Sequence, residues 1–305
     1  MFIYVKSWNI KKWKKFFNLN KTLMFHNFSP DSSSVDSSIS YIKSGCISES
    51  TIEDKYEVKI PKIIMQTWKT KDVPDKWKVS PKSIKRMMPD WKYVLMTDED
   101  NRKFVKKHFP DFLPYYDDFP HGIQRCDAIR YMWLFVNGGI YMDLDYEMLH
   151  PLDELFIIDS EAYLVSSSNV GAYITNSFMA SKPGCKLWLE MIEAMKKPLP
   201  WYYLGKHVQV MNTAGPIQLT HVAKNSSVVY SLLPGKLLIP CSICNIGKCK
   251  SKGAYLKQLE GSSWVSYDTK FYNFFLCQYR QIITFVVFLL ILILVVIFII
   301  WSGLI

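Results

Sequence analysis

Four charged residues in one short stretch carry most of the chemistry this sequence offers. In HGIQRCDAIRYMWLFVNGGIYMDLDYEMLHPLDEL, residues 121–155, they are Asp127, Arg130, Asp143 and Asp145. Asp127, Arg130 and Tyr131 stand at i, i+3 and i+4, so a helix would set them on one face. Asp143 and Asp145 stand at i and i+2, so a strand would do the same for them. Two carboxylates on one face of an otherwise apolar strand are costly to bury without a compensating cation. Carboxylate oxygens are hard ligands, and such a pair at a strand end suits Mn²⁺ or Mg²⁺ carrying a diphosphate.

The elements that must position these groups follow from the periodicity around them. From Ile123 to Val136 apolar residues recur at helical spacing, with Ile129, Trp133 and Val136 on one side. Asn137-Gly138-Gly139 ends that helix, because glycine takes the left-handed conformation at low cost. Ile140, Met142, Leu144 and Tyr146 then alternate with Tyr141, Asp143, Asp145 and Glu147, the pattern of one continuous strand. Upstream, residues 60–70 (IPKIIMQTWKT) read as the first buried strand, Pro81 to Arg86 as a short helix, and Trp91 to Met96 as a second strand. Residues 99–120 read as a helix followed by an acidic, aromatic loop, PYYDDFP. Downstream, Tyr163 to Ser166 and Ala172 to Ala180 read as strands, and Gly184 to Met195 as an amphipathic helix. Alternating strands and helices predict a parallel α/β sheet with ligands at the strand C-termini. Neither G-x-G-x-x-G nor G-x-x-x-x-G-K-[ST] occurs, so dinucleotide and P-loop sites lack their fingerprints.

The runs R-C-D-A-I-R-Y, N-G-G-I-Y-M-D-L-D and P-L-D together resemble the DXD region of the sugar-binding-region glycosyltransferases. That group includes initiating mannosyltransferases and inositolphosphoceramide mannosyltransferases, with the clostridial glucosylating toxins as more distant relatives. A lone D-x-D is common by chance; D-x-x-R, Gly-Gly and D-x-D at this spacing are specific. The similarity extends over about residues 60–265. Its first strand usually reads I-P-K-I-I-H-Q-T-W, and here Met65 takes the histidine's place. The resemblance implies a GT-A fold, Mn²⁺ or Mg²⁺, a nucleotide-sugar donor (GDP-mannose first, or a UDP-hexose), a lipid or glycan acceptor, and retention of anomeric configuration. It also implies roles. Trp68 would stack on the nucleotide base, and Asp127 and Arg130 would hold the donor's sugar hydroxyls and phosphate. Asn176, in TNSFMAS, would face the donor sugar. Asp145 would contact the metal, and Asp143 the ribose or the metal through water. Asn212 to Pro216 resembles a T-G-P turn bordering the acceptor side. Residues 253–264, GAYLKQLEGSSW, resemble an H-x-x-x-x-S-W segment in which Gln258 replaces histidine. Trp264 is retained there for the phosphate or leaving group, and Glu260 could substitute as the metal ligand. The departures at Met65 and Gln258 leave open a catalytically inactive nucleotide-sugar-binding or scaffolding subunit. A nucleotide-sugar hydrolase, with water as acceptor, is a further alternative.

Composition divides the rest. Ile282 to Trp301 is apolar apart from Thr284. At ~1.5 Å per residue it extends roughly 30 Å, so a C-terminal transmembrane helix is expected over residues 282–301. Residues 1–28 carry Lys6, Lys11, Lys12, Lys14, Lys15 and Lys21, no acid, and interleaved Trp8, Trp13, Phe16 and Phe17. They suit either a basic amphipathic helix on an anionic membrane or a disordered arm. Residues 29–55 read as a Ser/Asp-rich linker, and residues 56–270 as the catalytic domain. The net charge of +10 comes with no nucleic-acid module, so no nucleic-acid partner is expected. The seven cysteines are odd in number, and Cys241, Cys244 and Cys249 have no obvious fourth ligand for zinc. They are expected to be reduced thiols. With Lys270 and Arg280 ahead of a late span, the expectation is a cytosol-facing domain on a C-terminal anchor. The alternative is the ER or Golgi lumen, where Asn225-Ser226-Ser227 could be glycosylated.

Overall fold

The structure is a computed structural model that describes residues 58–166, 173–241, 244, 251–261 and 263–301. The expected arm at 1–28, the linker at 29–55 and Cys249 lie outside the described residues.

The strands are β1 (Ile63–Thr67), β2 (Lys92–Met96), β3 (Gly139–Met142), β4 (Tyr146–Met148), β5 (Ala162–Ser166), β6 (Ile174–Ser181), β7 (Tyr230–Leu233) and β8 (Leu256–Gln258). Six form one sheet in the order β2-β1-β3-β6-β5-β7, and β4 pairs with β8 in a second. β1, β2 and β3 run parallel, and β7 runs parallel to β5. β6 is antiparallel to both of its neighbours, β3 and β5. One reversed strand thus interrupts an otherwise parallel sheet, where the sequence pattern predicts a purely parallel one. This is an α/β domain built on a mixed sheet.

The helices are α1 (Val79–Met87), α2 (Asp98–His108), α3 (Leu113–Asp118), α4 (Gly122–Asn137), α5 (Lys186–Met195), α6 (Lys206–Thr213), α7 (Pro216–Asn225), α8 (Gly235–Leu238) and α9 (Tyr267–Trp301). Most of the PYYDDFP stretch is therefore helix rather than loop. Pro114 falls in the first turn of α3, where a missing N–H costs nothing.

Strand alternation feeds two cores, one on each face of the main sheet. Met65, Tyr141 and Met179 join Ala128, Ile129, Met132, Trp188 and Leu219 in one. Ile64, Ile140 and Phe178 join Ile84, Tyr146, Met148 and Phe156 in the other. Met65 is fully buried in the first core, so the residue at the usual histidine position is a packing residue in this chain.

The link from α4 to β3 explains its glycines twice over. Gly138 and Gly139 have φ of 64° and 82°, and a Cβ on Gly139 would lie 2.4 Å from the Ile63 carbonyl oxygen. Only glycine fits both conditions. The turn delivers β3 directly against β1, and with it the aspartates that follow.

The cysteines differ from expectation. Cys244 is disulfide-bonded to Cys277 of α9, and Cys241 is disulfide-bonded as well. Cys126 and Cys185 are free. The reading of 241 and 244 as reduced thiols is corrected accordingly: 33 residues separate Cys244 from Cys277, a pairing that local spacing does not reveal. α9 itself is a continuous helix of 35 residues. Its portion Gln281–Phe298 is long and apolar enough to cross a membrane, and none of it is buried in the protein.

Candidate active site

A cavity of about 1350 Å³ opens at the C-terminal ends of β1 and β3. Arg130 organises its floor. The helix carries Asp127 and Arg130 one turn apart, and Arg130 Nη2 lies 2.7 Å from Asp127 Oδ1. Arg130 Nη1 donates to Asp143 Oδ1 at 3.0 Å and to the Asn176 carbonyl at 2.7 Å. Asn176 Nδ2 donates to Asp127 Oδ1 at 3.1 Å. The guanidinium also stands over the Tyr141 ring, 4.5 Å from its centroid. One cation thus joins α4, β6 and the end of β3. Arg130 is only 3% exposed, a burial that demands such complete pairing.

The DXD aspartates do not continue a strand. β3 stops at Met142; Asp143 N still donates to the Ser177 carbonyl at 2.8 Å, and then the chain leaves the sheet. Tyr146–Met148 has its own partner in β8, and its Tyr146 and Met148 side chains belong to the second core. Asp143-Leu144-Asp145 therefore forms the link between two sheets. Asp143 Oδ1 takes a hydrogen bond from Tyr141 at 2.5 Å besides that from Arg130. Gln66 Nε2 donates to the Asp143 carbonyl at 3.1 Å and to Ser80 at 2.9 Å.

Asp145 is held differently. Its carbonyl accepts from Leu259 N at 2.8 Å, and Gly261 packs so closely that a Cβ there would lie 2.1 Å from Asp145 Oδ2. Its Oδ1 is buried with no hydrogen-bond partner. The side-chain oxygen of Gln258 is buried and unpartnered too. Gln258 faces Tyr146 across the β4–β8 ladder, and directly opposed residues project to one side. Both Asp145 and Gln258 line the cavity.

Burial pushes the Asp127 carboxyl up to about 7, with Arg130 pulling it down and Asp143 pushing it further up. Burial and the neighbouring charge of Asp143 push Asp145 up to about 7 as well. Two carboxylates share the Arg130 guanidinium while Asp145 has no ion pair with it, and a carboxylate group so placed favours an added cation. Two orphaned oxygens lining the cavity beside these carboxylates fit a hard divalent cation. Among the described residues no group of three His, Cys, Asp or Glu could supply the site alone, which makes the amide oxygen of Gln258 relevant.

Trp68 follows β1, with its N–H bonded to the Met96 carbonyl at 3.0 Å. It lies edge-on to Trp77, centroids 5.0 Å apart at 81°, and lines the cavity. Trp264 also lines the cavity and stacks on His207 at 5.7 Å and 13°. The Ala214-Gly215-Pro216 turn also borders the cavity through Pro216. A Cβ on Gly215 would meet the Val210 carbonyl at 2.7 Å. Of the residues picked from sequence, Trp68, Asp127, Arg130, Asp143, Asp145, Asn176 and Trp264 all line this cavity. Glu260 does not. It is exposed, and its backbone carbonyl accepts from Trp77 Nε1 at 2.9 Å. Sequence reasoning missed Gln66, Tyr141 and Gly261, and it missed Thr269, Asn273 and Leu276 of α9, which also line the cavity.

Residues 74–162 match the family described as glycosyltransferase sugar-binding region containing DXD motif. This stretch of the chain is similar to that family's sugar-binding region. Inositol phosphoceramide mannosyltransferase 3 of Schizosaccharomyces pombe is similar to it, 34% identical over 75% of this chain and 62% of that protein. Mannosyl phosphorylinositol ceramide synthase SUR1 of Saccharomyces cerevisiae is 35% identical over 54% of this chain and 42% of its own. The chain thus spans about three fifths of the first relative and less than half of the second. Among solved structures, the PaToxG glycosyltransferase aligns with a TM-score of 0.41 at 17% identity, covering 70% of this chain and 79% of that one. The matched residues include Asp127, Arg130, Asp143 and Asp145; Trp68, Asn176, Gln258 and Trp264 lie outside them.

Proposed function

We propose that the protein is a membrane-held mannosyltransferase, taking mannose from GDP-mannose to the inositol-phosphate headgroup of a sphingolipid. The reading is carried by one observation: the buried Asp127–Arg130–Asp143 network beside two unpartnered oxygens in a cavity walled by tryptophans. The names of the similar proteins support mannose and a phosphoinositol sphingolipid over other hexoses and acceptors.

The residues divide the work. The flat indole of Trp68 offers an apolar face for the guanine base. Asp127 accepts hydrogen bonds from sugar hydroxyls while Arg130 and Asn176 keep it in one pose; a fixed pose shortens the search for the reactive geometry. Arg130 contributes positive charge where the diphosphate leaves. Asp145 and Gln258 would hold Mn²⁺ or Mg²⁺, with Asp143 contributing to the ion or to the ribose. The bound ion would neutralise the leaving diphosphate as a Lewis acid. Met65 lies in the core, so its replacement of histidine weighs little toward an inactive subunit.

α9 would hold the domain at the membrane. Disulfides persist in oxidising compartments, so the Cys244–Cys277 bond supports a lumen-facing domain over the cytosol-facing one expected from charge.

The test is a panel of nucleotide sugars scored for Mn²⁺-dependent thermal stabilisation and then for transfer. GDP-mannose should stabilise most, and Trp68→Ala should weaken that binding more than it lowers kcat, since base stacking is present in ground and transition states alike. Stabilisation by a different nucleotide sugar, with none by GDP-mannose, sinks the donor assignment.

A further inference from the structure

We propose that residues 200–205 and the first turns of α9 form a rim that seats in the lipid headgroup layer beside the cavity. The inference rests on α9 crossing the membrane and adds to the proposed function the face by which the domain meets the bilayer.

The loop reads Pro200-Trp201-Tyr202-Tyr203-Leu204-Gly205. Trp201 is 87% exposed and Leu204 71%, with Tyr202 exposed between them. Large apolar side chains in succession on a short loop are costly in water. Tryptophan and tyrosine, each with an apolar body and a polar tip, concentrate at membrane interfaces.

The loop is fastened to the helix that would enter the bilayer. Gly205 packs on Asp268, such that a Cβ on it would lie 3.0 Å from Asp268 Oδ2. His207 N donates to the same oxygen at 2.7 Å. The His207 ring stacks between Trp264 and Tyr272, 5.7 and 5.0 Å from their centroids. The end of the loop, the start of α9 and the cavity tryptophan therefore form one packed unit. From there α9 runs unbroken into its apolar portion, which begins at Gln281. Leu276 lines the cavity, and Gln281 follows it by about 7.5 Å of helix axis. Tyr267, Phe271, Phe274, Phe275 and Tyr279 are exposed along this stretch, again the composition of an interfacial belt.

Continuity with the span selects the occupant. Lipid headgroups must surround α9 close to Gln281, and the loop is held against the same helix at Asp268, about 20 Å of helix axis away. The wall that α6 and α9 share then lies at the bilayer surface, so the membrane-resident part of an acceptor can stay in the bilayer while its headgroup enters.

The chain carries two reporters that separate this rim from the span itself. Trp201 sits in the loop and Trp301 at the far end of α9. The full chain is placed in phosphatidylcholine vesicles whose acyl chains carry bromine either near the headgroups or deep in the core, and tryptophan fluorescence is compared with unbrominated vesicles. Subtracting Trp201→Phe from wild type isolates the loop, and subtracting Trp301→Phe isolates the helix end. The expected result is a Trp201 component quenched by shallow bromine. An unquenched Trp201 beside a quenched Trp301 overturns the rim and leaves the span standing; two unquenched components overturn both. A second measurement guards against a purely structural role. The double variant Trp201→Ser/Leu204→Ser should lose turnover with a vesicle-embedded glycolipid acceptor and keep it with a water-soluble headgroup analogue. Equal loss on both acceptors overturns the proposal.

Discussion

At the scale of single residues, the site rests on which oxygens are paired and which are not. Asp145→Ala removes an unpartnered oxygen, so it should cost roughly tenfold or more in Mn²⁺ affinity, read by electron paramagnetic resonance of free Mn²⁺, with an unchanged circular dichroism spectrum. Gln258→Ala should weaken Mn²⁺ in the same direction, and Glu260→Ala should not. A loss confined to Glu260→Ala would return the ligand to the position first read from sequence. Asp127 behaves differently because its partner is buried. Asp127→Ala leaves Arg130 with one carboxylate fewer in a site 3% exposed, and breaking such pairs costs about 3–5 kcal/mol. The variant should melt well below wild type, and Asp127→Asn should recover part of the loss. A melting temperature equal to wild type for Asp127→Ala would show that the pair is not structural. Asp127, Arg130, Asp143 and Asp145 were legible in the sequence because their types and spacings are improbable together. Gln258 was legible only as a missing histidine. Its orphaned oxygen becomes visible when β8 pairs with β4, since nothing local marks Gln258 and Tyr146, far apart in the sequence, as neighbours.

At the scale of elements, local pattern named the helices and strands well where one periodicity ran alone. α4 and its Gly-Gly stop, β1, β2 and α5 all stand within a few residues of their expected places. Pattern failed where tertiary pairing decides. Alternation from Ile140 to Glu147 is continuous in sequence, yet the chain changes sheets at Asp143, because Tyr146 and Met148 fill a second core. The direction of β6 was equally invisible, for an antiparallel strand buried in a sheet carries the same apolar run as a parallel one. The α6–α9 contact yields a pH prediction. Burial lowers the His207 pKa below 6.5, while Asp268 opposes the shift. The unfolded chain then binds more protons than the folded one as pH falls, so stability is full above about pH 6.5 and is lost as pH drops through that value. His207→Phe keeps a flat ring between Trp264 and Tyr272 without the titration. Its melting temperature should fall less than that of wild type between pH 7 and pH 5.5, and parallel acid profiles for the two proteins would refute the assignment.

At the scale of the whole molecule, the Cys244–Cys277 disulfide ties the end of the domain to α9. A closed loop with a separation of 33 residues is worth about 3–4 kcal/mol through the unfolded chain. Dithiothreitol should therefore lower the melting temperature of the purified protein, and Cys277→Ser should lower it in the same direction while keeping the Cys241 bond. In sealed microsomes the domain should resist added protease until detergent is present; digestion without detergent would place it in the cytosol and restore the orientation expected from Lys270 and Arg280. α9 has a further consequence. It is one rod of roughly 50 Å whose near end supplies Thr269, Asn273 and Leu276 to the cavity and whose far end is apolar. A helix whose apolar length differs from the hydrocarbon thickness around it answers by tilting. If α9 spans the membrane as proposed, a thicker or thinner bilayer would change the angle at which the rod meets α6, and with it the width of the proposed acceptor's entrance. On the proposed function, the lipid around the protein would be an input to the reaction as well as the source of its acceptor, and one chain would work at different rates in membranes that differ only in depth.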